Sequence, residues 1–252
     1  MSDDVLLAID NGTQSVRALL FNLRGHLVGK AQVKLDQYRQ PHPGWMEHDP
    51  DEFWRALCKA CHQLWATTPV QPEQLRGVIV TTQRGTVINL DAKGRPLRPA
   101  IIWADQRRGE ARARYGLLWQ TAFRALGLHD TVRGFEREAE ATWIAQNQPE
   151  LWARTDKFLL LSGYLHHRLT GEYVDAVGNQ VGYLPFDFKK GAWAAPGDWK
   201  WTCLPVKPGM LPTLVPSGTV SGKVSALAAA DTGLPPGLPV IAGASDKACE
   251  VI

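Results

Sequence analysis

The chain of 252 residues is 44% hydrophobic and 21% charged, enough apolar surface for one large core or two smaller ones, which excludes a disordered polypeptide. Its 28 basic and 25 acidic side chains leave a net +3, too small and too dispersed for a nucleic-acid footprint. No apolar run approaches the ~18 residues of a spanning helix, and the 4 cysteines include a single C-x-x-C with no second pair, which reads as reduced thiols rather than a zinc site.

The start, Met1-Ser2-Asp3-Asp4, passes into a strand-like run with neither a basic region nor a small-residue cleavage site, so the expected compartment is the cytoplasm. Val5 to Ile9 and Val16 to Phe21 read as a hairpin whose longer loop, Asn11 to Ser15, takes positive-φ positions from Asn11-Gly12. His26 to Leu35 adds a third strand after the turn at Arg24-Gly25. Asp49-Pro50-Asp51-Glu52 opens a helix, with Asp49 as N-cap, Pro50 at the first helical position and Glu52 placed to close a capping box. That helix should reach about Thr67 and bury Phe53, Leu57, Cys61 and Leu64, which puts Cys58 and Cys61 on or beside its apolar stripe.

Val78 to Thr82, Thr86 to Leu90 and Ile101 to Trp103 read as strands, with a turn at Asp91 to Gly94. From Arg107 to about Leu169 the pattern is helical, with a new segment at Pro149 and a stop at Gly171. Nine of the 17 prolines lie from Pro185 onward, so residues 185 to 239 should be mostly irregular or short strands. Val240 to Ala242 is a last strand, after which Gly243-Ala244-Ser245-Asp246 turns into an apolar run that stops at Ile252 without a cap, as in a chain cut where a helix begins. Strands, a helix between strands, then a helical block make a mixed α/β fold.

The phosphate-loop, dinucleotide, zinc-protease and serine-hydrolase signatures do not occur. Three clusters carry chemistry instead. Asp10-Asn11-Gly12-Thr13-Gln14-Ser15-Val16-Arg17 sets a carboxylate at a strand end before a glycine turn, two hydroxyls and a cation. Those parts suit a polyphosphate with Mg²⁺ on Asp10, or else an ordinary polar hairpin turn. Thr82-Gln83-Arg84-Gly85 and Trp103-Ala104-Asp105-Gln106-Arg107 combine amide, guanidinium, carboxylate and indole, the means of holding a small polyol, or else a surface ion pair. Asp246, after two small residues, is a general base or a helix N-cap.

Taken in series, these clusters resemble the FGGY carbohydrate kinases. The blocks are the octet at 10 to 17, Pro43-Gly44-Trp45-Met46-Glu47-His48-Asp49-Pro50, Thr82 to Gly85, Leu97 to Arg107, Leu169-Thr170-Gly171-Glu172 and Gly243 to Asp246. The resemblance covers the whole chain and in pattern is similar to glycerol and xylulose kinases. It implies an actin-like, ribonuclease-H-like core, with ATP gripped between two domains and sugar bound mainly to the first. Residues 1–252 would be that first domain, with the nucleotide-side domain absent from the chain. Carried over, the resemblance makes Asp10 the Mg²⁺-associated carboxylate, and Gly12, Thr13, Ser15 and Arg17 the phosphate side. It puts Gln83, Arg84, Trp103 and Asp105 on the sugar, and makes Asp246 the catalytic base.

One departure bears on substrate. Glycerol kinases carry an acid after the Gln-Arg pair, where this sequence has Gly85, and pentulose kinases usually have Met-His-Gly after that Gln. The expectation is therefore an ATP-dependent kinase of a ketopentose such as xylulose, inactive as an isolated half. Glycerol or another polyol, and a non-catalytic sugar-binding module, are the alternatives. A glycosidase using Asp10 and Asp246 as its carboxylate pair would have no reason for the Gly-Thr-x-Ser turn. Expected partners are a small sugar or polyol and ATP, without nucleic acid or membrane, and with a homodimer left open.

Overall fold

The structure, a computed structural model, describes residues 4–249. The readings at Met1 to Asp3 and at the uncapped end, Ile252, lie outside the described residues. The chain opens with β1 (Val5–Asn11), β2 (Ser15–Asn22) and β3 (Leu27–Lys34), joined as successive antiparallel neighbours. Val5, Leu7 and Ile9 alternate into the core, the period of a strand with one face covered. Asn11 is buried and pairs with Val16, so the loop shrinks to Gly12, Thr13 and Gln14. Neither Asn11 nor Gly12 takes a positive φ, contrary to the expected turn chemistry. The loop closes instead through a 3.1 Å bond from the Gly12 N–H to the Ser15 carbonyl.

The short β4 (Glu47–His48) leads into α1 (Pro50–Thr67). Asp49 caps this helix by accepting from the Asp51 N–H at 3.0 Å. The capping box does not form, because Glu52 turns to Arg55, 3.0 Å away. Phe53, Leu57, Cys61 and Leu64 are buried as the spacing predicts, and all four cysteines are free thiols. Burial pushes the Cys58 thiol up to about 12 and Cys61 still higher, so both stay protonated and pack as small hydrophobes.

β5 (Leu75–Thr82) follows, then β6 (Val87–Leu90) and β7 (Ala100–Ile101). The expected helical block is broken. Residues 107–116 have no regular structure, and the helices are α2 (Leu117–Ala125), α3 (His129–Glu138), α4 (Glu140–Asn147) and α5 (Pro149–Arg154). Lys157–Leu160 is a strand, β8, pairing antiparallel with β6 before α6 (Leu161–Thr170) begins. Gly171 ends α6 at φ +83°, the left-handed position that a glycine stop supplies.

Beyond it come β9 (Val174–Ala176), β10 (Phe186–Asp187), β11 (Ala192–Trp193), α7 (Trp199–Cys203), β12 (Thr213–Val215) and β13 (Val220–Lys223). The chain then makes α8 (Ala226–Thr232), β14 (Pro239–Ile241) and α9 (Asp246–Cys249). The proline-rich stretch is thus short strands and loops, as expected, with two short helices besides.

The main sheet has the order β13-β14-β5-β1-β2-β3, with β1, β5 and β14 mutually parallel and the rest antiparallel. Three antiparallel strands followed by parallel ones reached through helices is the ribonuclease-H-like, actin-like arrangement. A second sheet has the order β4-β7-β6-β8. One core joins the main sheet to α1, α6 and α8, and a second gathers tryptophans and other aromatics around β6, β8, α4, α5 and α7. Among the described residues no helix is long and apolar enough to cross a membrane.

Candidate active site

Because β14, β5 and β1 are adjacent and parallel, their carboxyl ends emerge at one edge of the main sheet. That edge is where open α/β sheets bind ligands. The three sequence clusters at Asp10, Gln83 and Asp246 follow those three strands, so topology brings them together. The Gln83 N–H continues the ladder to the Asn11 carbonyl at 3.0 Å. After β14 the chain presses against β5 so closely that a Cβ on Gly243 would lie 2.4 Å from the Val80 carbonyl oxygen. Only glycine allows that crossing, which delivers Asp246 to the first position of α9 rather than to its N-cap.

Asp10 and Asp246 line one cleft of about 790 Å³, together with Gly12, Thr13, Ser15 and Arg17. Asp10 Oδ2 is paired with Arg17 Nη1 at 2.7 Å, and both side chains are partly exposed. Asp246 Oδ1 accepts from the Lys247 N–H at 2.7 Å. Ser15 is buried and its hydroxyl accepts from the Gln32 amide at 3.0 Å. The Thr13 hydroxyl donates to Gln83 Oε1 at 3.2 Å and accepts from the Trp103 indole N–H at 3.1 Å, so it ties the glycine turn to the expected sugar side. The Tyr38 hydroxyl donates to the Thr13 carbonyl, and burial raises its pKa.

Sequence reasoning missed Tyr38 and the support behind Arg84. Arg84 Nη2 donates to the Gln180 carbonyl at 3.0 Å, and the Gln180 side chain donates to buried Asp175 at 3.0 Å. Asp175 also accepts from Asn179 at 2.7 Å and Ser162 at 2.8 Å, while burial pushes its carboxyl up to about 6. The same short loop presents the Gly178 carbonyl to the Ser245 N–H at 3.3 Å. No motif marks this loop, Asp175-Ala176-Val177-Gly178-Asn179-Gln180, in the sequence.

Trp103 stands 56% exposed despite its size, and Gly85 beside it sits at φ +81°. Asp105 is elsewhere. Its carboxylate is buried and consumed by Arg107, at 2.7 and 2.8 Å, and by the Met46 N–H at 2.6 Å. Arg107 also pairs with Glu47 at 2.9 Å, and Glu47 with buried Arg98 at 2.6 Å. Of the two readings of Asp105, sugar ligand and ion pair, the structure holds the ion pair. A carboxylate taken out of water is stable only when paired and hydrogen-bonded, and Arg107 does both.

The family model described as "FGGY family of carbohydrate kinases, N-terminal domain" matches residues 5–252. A glycerol kinase from Thermococcus onnurineus is 32% identical over 76% of this chain and 39% of its own length. A xylulose kinase from Escherichia coli is 28% identical over 98% of this chain and 49% of its own. The chain therefore spans half or less of the length of these curated relatives. Among solved structures, the xylulose kinase from Rhodospirillum rubrum superposes with a TM-score of 0.79 at 26% identity, covering 96% of this chain and 50% of that one. A Plasmodium falciparum glycerol kinase solved with ADP shares the fold, with a TM-score of 0.73 at 20% identity over 97% of this chain and 49% of that one.

Proposed function

The chain belongs to the FGGY family of carbohydrate kinases, and on that premise we propose that it is the sugar-binding half of an enzyme that moves the γ-phosphoryl group of ATP to a hydroxyl of a small sugar or polyol. The observation that carries this reading is the meeting of Asp10 and Asp246, far apart in the chain, on one cleft with the glycine turn between β1 and β2. Phosphoryl transfer asks little covalent chemistry of a protein and depends on positioning and charge neutralisation. Asp246 is the base that takes the proton of the attacking hydroxyl. Thr13, Ser15 and the backbone around Gly12 face the transferred phosphate, with Arg17 as its cation.

Asp10 fits a Mg²⁺ role, because one carboxylate oxygen is held by Arg17 and the other makes no hydrogen bond among the described residues. Mg²⁺ commonly takes one or two carboxylates, with phosphate oxygens and water completing its shell. When bound, it would supply neutralisation of the phosphate charge. Arg84, Trp103 and, through Thr13, Gln83 hold the sugar, while Asp105 fixes Arg107 against Trp45 and Trp143.

The favoured substrate is a ketopentose such as xylulose. In support, the left-handed backbone at Gly85 would strain an acidic side chain at the position where glycerol kinases carry one. Catalysis requires the half of the cleft that a second domain brings, so this chain alone binds sugar weakly and does not turn over ATP. The test is Asp246→Ala in the two-domain enzyme. Formation of sugar phosphate should be abolished and sugar affinity nearly unchanged. Undiminished transfer, a hydrolysed glycoside as product, or full-enzyme rates from this chain alone would overturn the reading.

A further inference from the structure

A chamber of about 690 Å³ opens beside the cleft, with Arg84 and Trp103 on its wall. That volume is within the range of small-molecule sites. Most of the remaining lining is apolar or aromatic, including Phe135, Tyr183 and Trp199. Into this lining α4 sets one carboxylate, Glu140, the chamber's only acid among the described residues. Glu140 is partly accessible and lines the chamber. It receives a hydrogen bond from its own backbone N–H and forms no ion pair among the described residues. Burial pushes its carboxyl up to about 7. An acid at the first position of a helix is common, but there it usually meets water. Here it shares a lining that is largely aromatic, where an unpaired charge destabilises the fold.

We propose that Glu140 is a specificity-determining residue of the acceptor site, accepting a hydrogen bond from a sugar hydroxyl and supplying from α4 the carboxylate that Gly85 does not. The inference rests on the carbohydrate-kinase reading above. Arg84, on the same wall, offers donors, and Trp103 offers an apolar face. A ketose matches this set, its carbonyl oxygen accepting from Arg84 and a neighbouring hydroxyl donating to Glu140. Glycerol has no carbonyl to present.

Calorimetric titration of this chain and of Glu140→Gln with xylulose, ribulose and glycerol tests the proposal at about pH 6 and about pH 8, on either side of the carboxyl's titration. The charged groups around Glu140 are Arg108, Asp105 and Glu138 behind it, with Arg84 and Lys200 on the chamber wall. A ketose should bind the wild type more tightly at the higher pH. The Gln variant should bind at least about tenfold more weakly and lose that pH dependence. Equal ketose affinity in both proteins overturns the role of Glu140 and leaves the kinase reading standing. A variant that binds normally but melts at a lower temperature makes the carboxylate structural and overturns the inference in the same way. Failure of every sugar to bind the wild type overturns both.

Discussion

The two cores of the molecule are held by different forces. The sheet core is aliphatic: Leu7, Ile9, Leu20, Leu57 and Leu64 lie fully buried between backbone ladders and helices. Its cohesion scales with area removed from water, which tolerates small changes of shape. The aromatic core is directional. Trp45 and Trp143 meet edge-on, 5.0 Å apart at 80°, and the Arg107 guanidinium lies 4.2 and 4.7 Å from their ring centres. That cation is buried with Asp105 and Glu47, so here a packed cluster depends on charges that must stay paired. The difference teaches that the sheet is a tolerant platform, while the face carrying Trp103 and Glu140 hangs on a few irreplaceable contacts.

Substitutions sharpen that contrast. Arg107→Ala should have the largest effect, about 3–5 kcal/mol of lost stability by urea unfolding, because it leaves the buried Asp105 carboxylate without its cation and removes one of the two cations paired with Glu47. If the loss matched that of an aliphatic truncation in the sheet, the contrast would fail. Gly243→Ala should cost about 1–3 kcal/mol as the Cβ meets the Val80 carbonyl. It should also impair phosphoryl transfer in the two-domain enzyme, since Asp246 rides on the displaced segment. Ile9→Val, a single methylene in the sheet core, should cost about 1 kcal/mol.

A further effect is a change of slope with pH. The Glu140 carboxyl is raised from 4.5 to about 7, so between those values the folded chain holds a proton that the unfolded chain has released. Stability contributed at this site therefore falls as pH rises through that window. Melting curves of Glu140→Gln should lack this decline and gain on the wild type above about pH 7. A parallel pH profile in the two proteins would show the carboxyl to be solvated rather than enclosed.

Legibility in the sequence follows the same division. The first hairpin and α1 were readable because two apolar runs flanking a glycine turn, and Asp49 and Pro50, are local signals that no distant contact opposes. β8 was not. Lys157 to Leu160 is an apolar run too short to carry a period, and its pairing with β6, distant in sequence, makes it a strand. Residues 107–116 read as helical, yet three of their N–H groups go to side chains of the helices that follow: Glu110 to Gln146 at 2.8 Å, and Arg112 and Ala113 to Glu136 at 2.7 Å each. Of the proposed site residues, Asp10, Gln83 and Asp246 stand at or after strand ends in distinctive clusters, the signal by which the sequence offers them. Asp105 was ambiguous because only the burial of Arg107 decides its partner. Glu140 and Asp175 had no motif around them, and their surroundings are assembled by the aromatic core and the loop after β9.

That loop links the two halves of the chemistry. Its Gln180 carbonyl holds Arg84 and its Gly178 carbonyl holds Ser245, next to Asp246, while Asp175 anchors the span between. On the proposed roles of Arg84 as sugar ligand and Asp246 as base, one short loop positions both, so a substitution that loosens it, such as Asp175→Ala, should weaken sugar binding and phosphoryl transfer together.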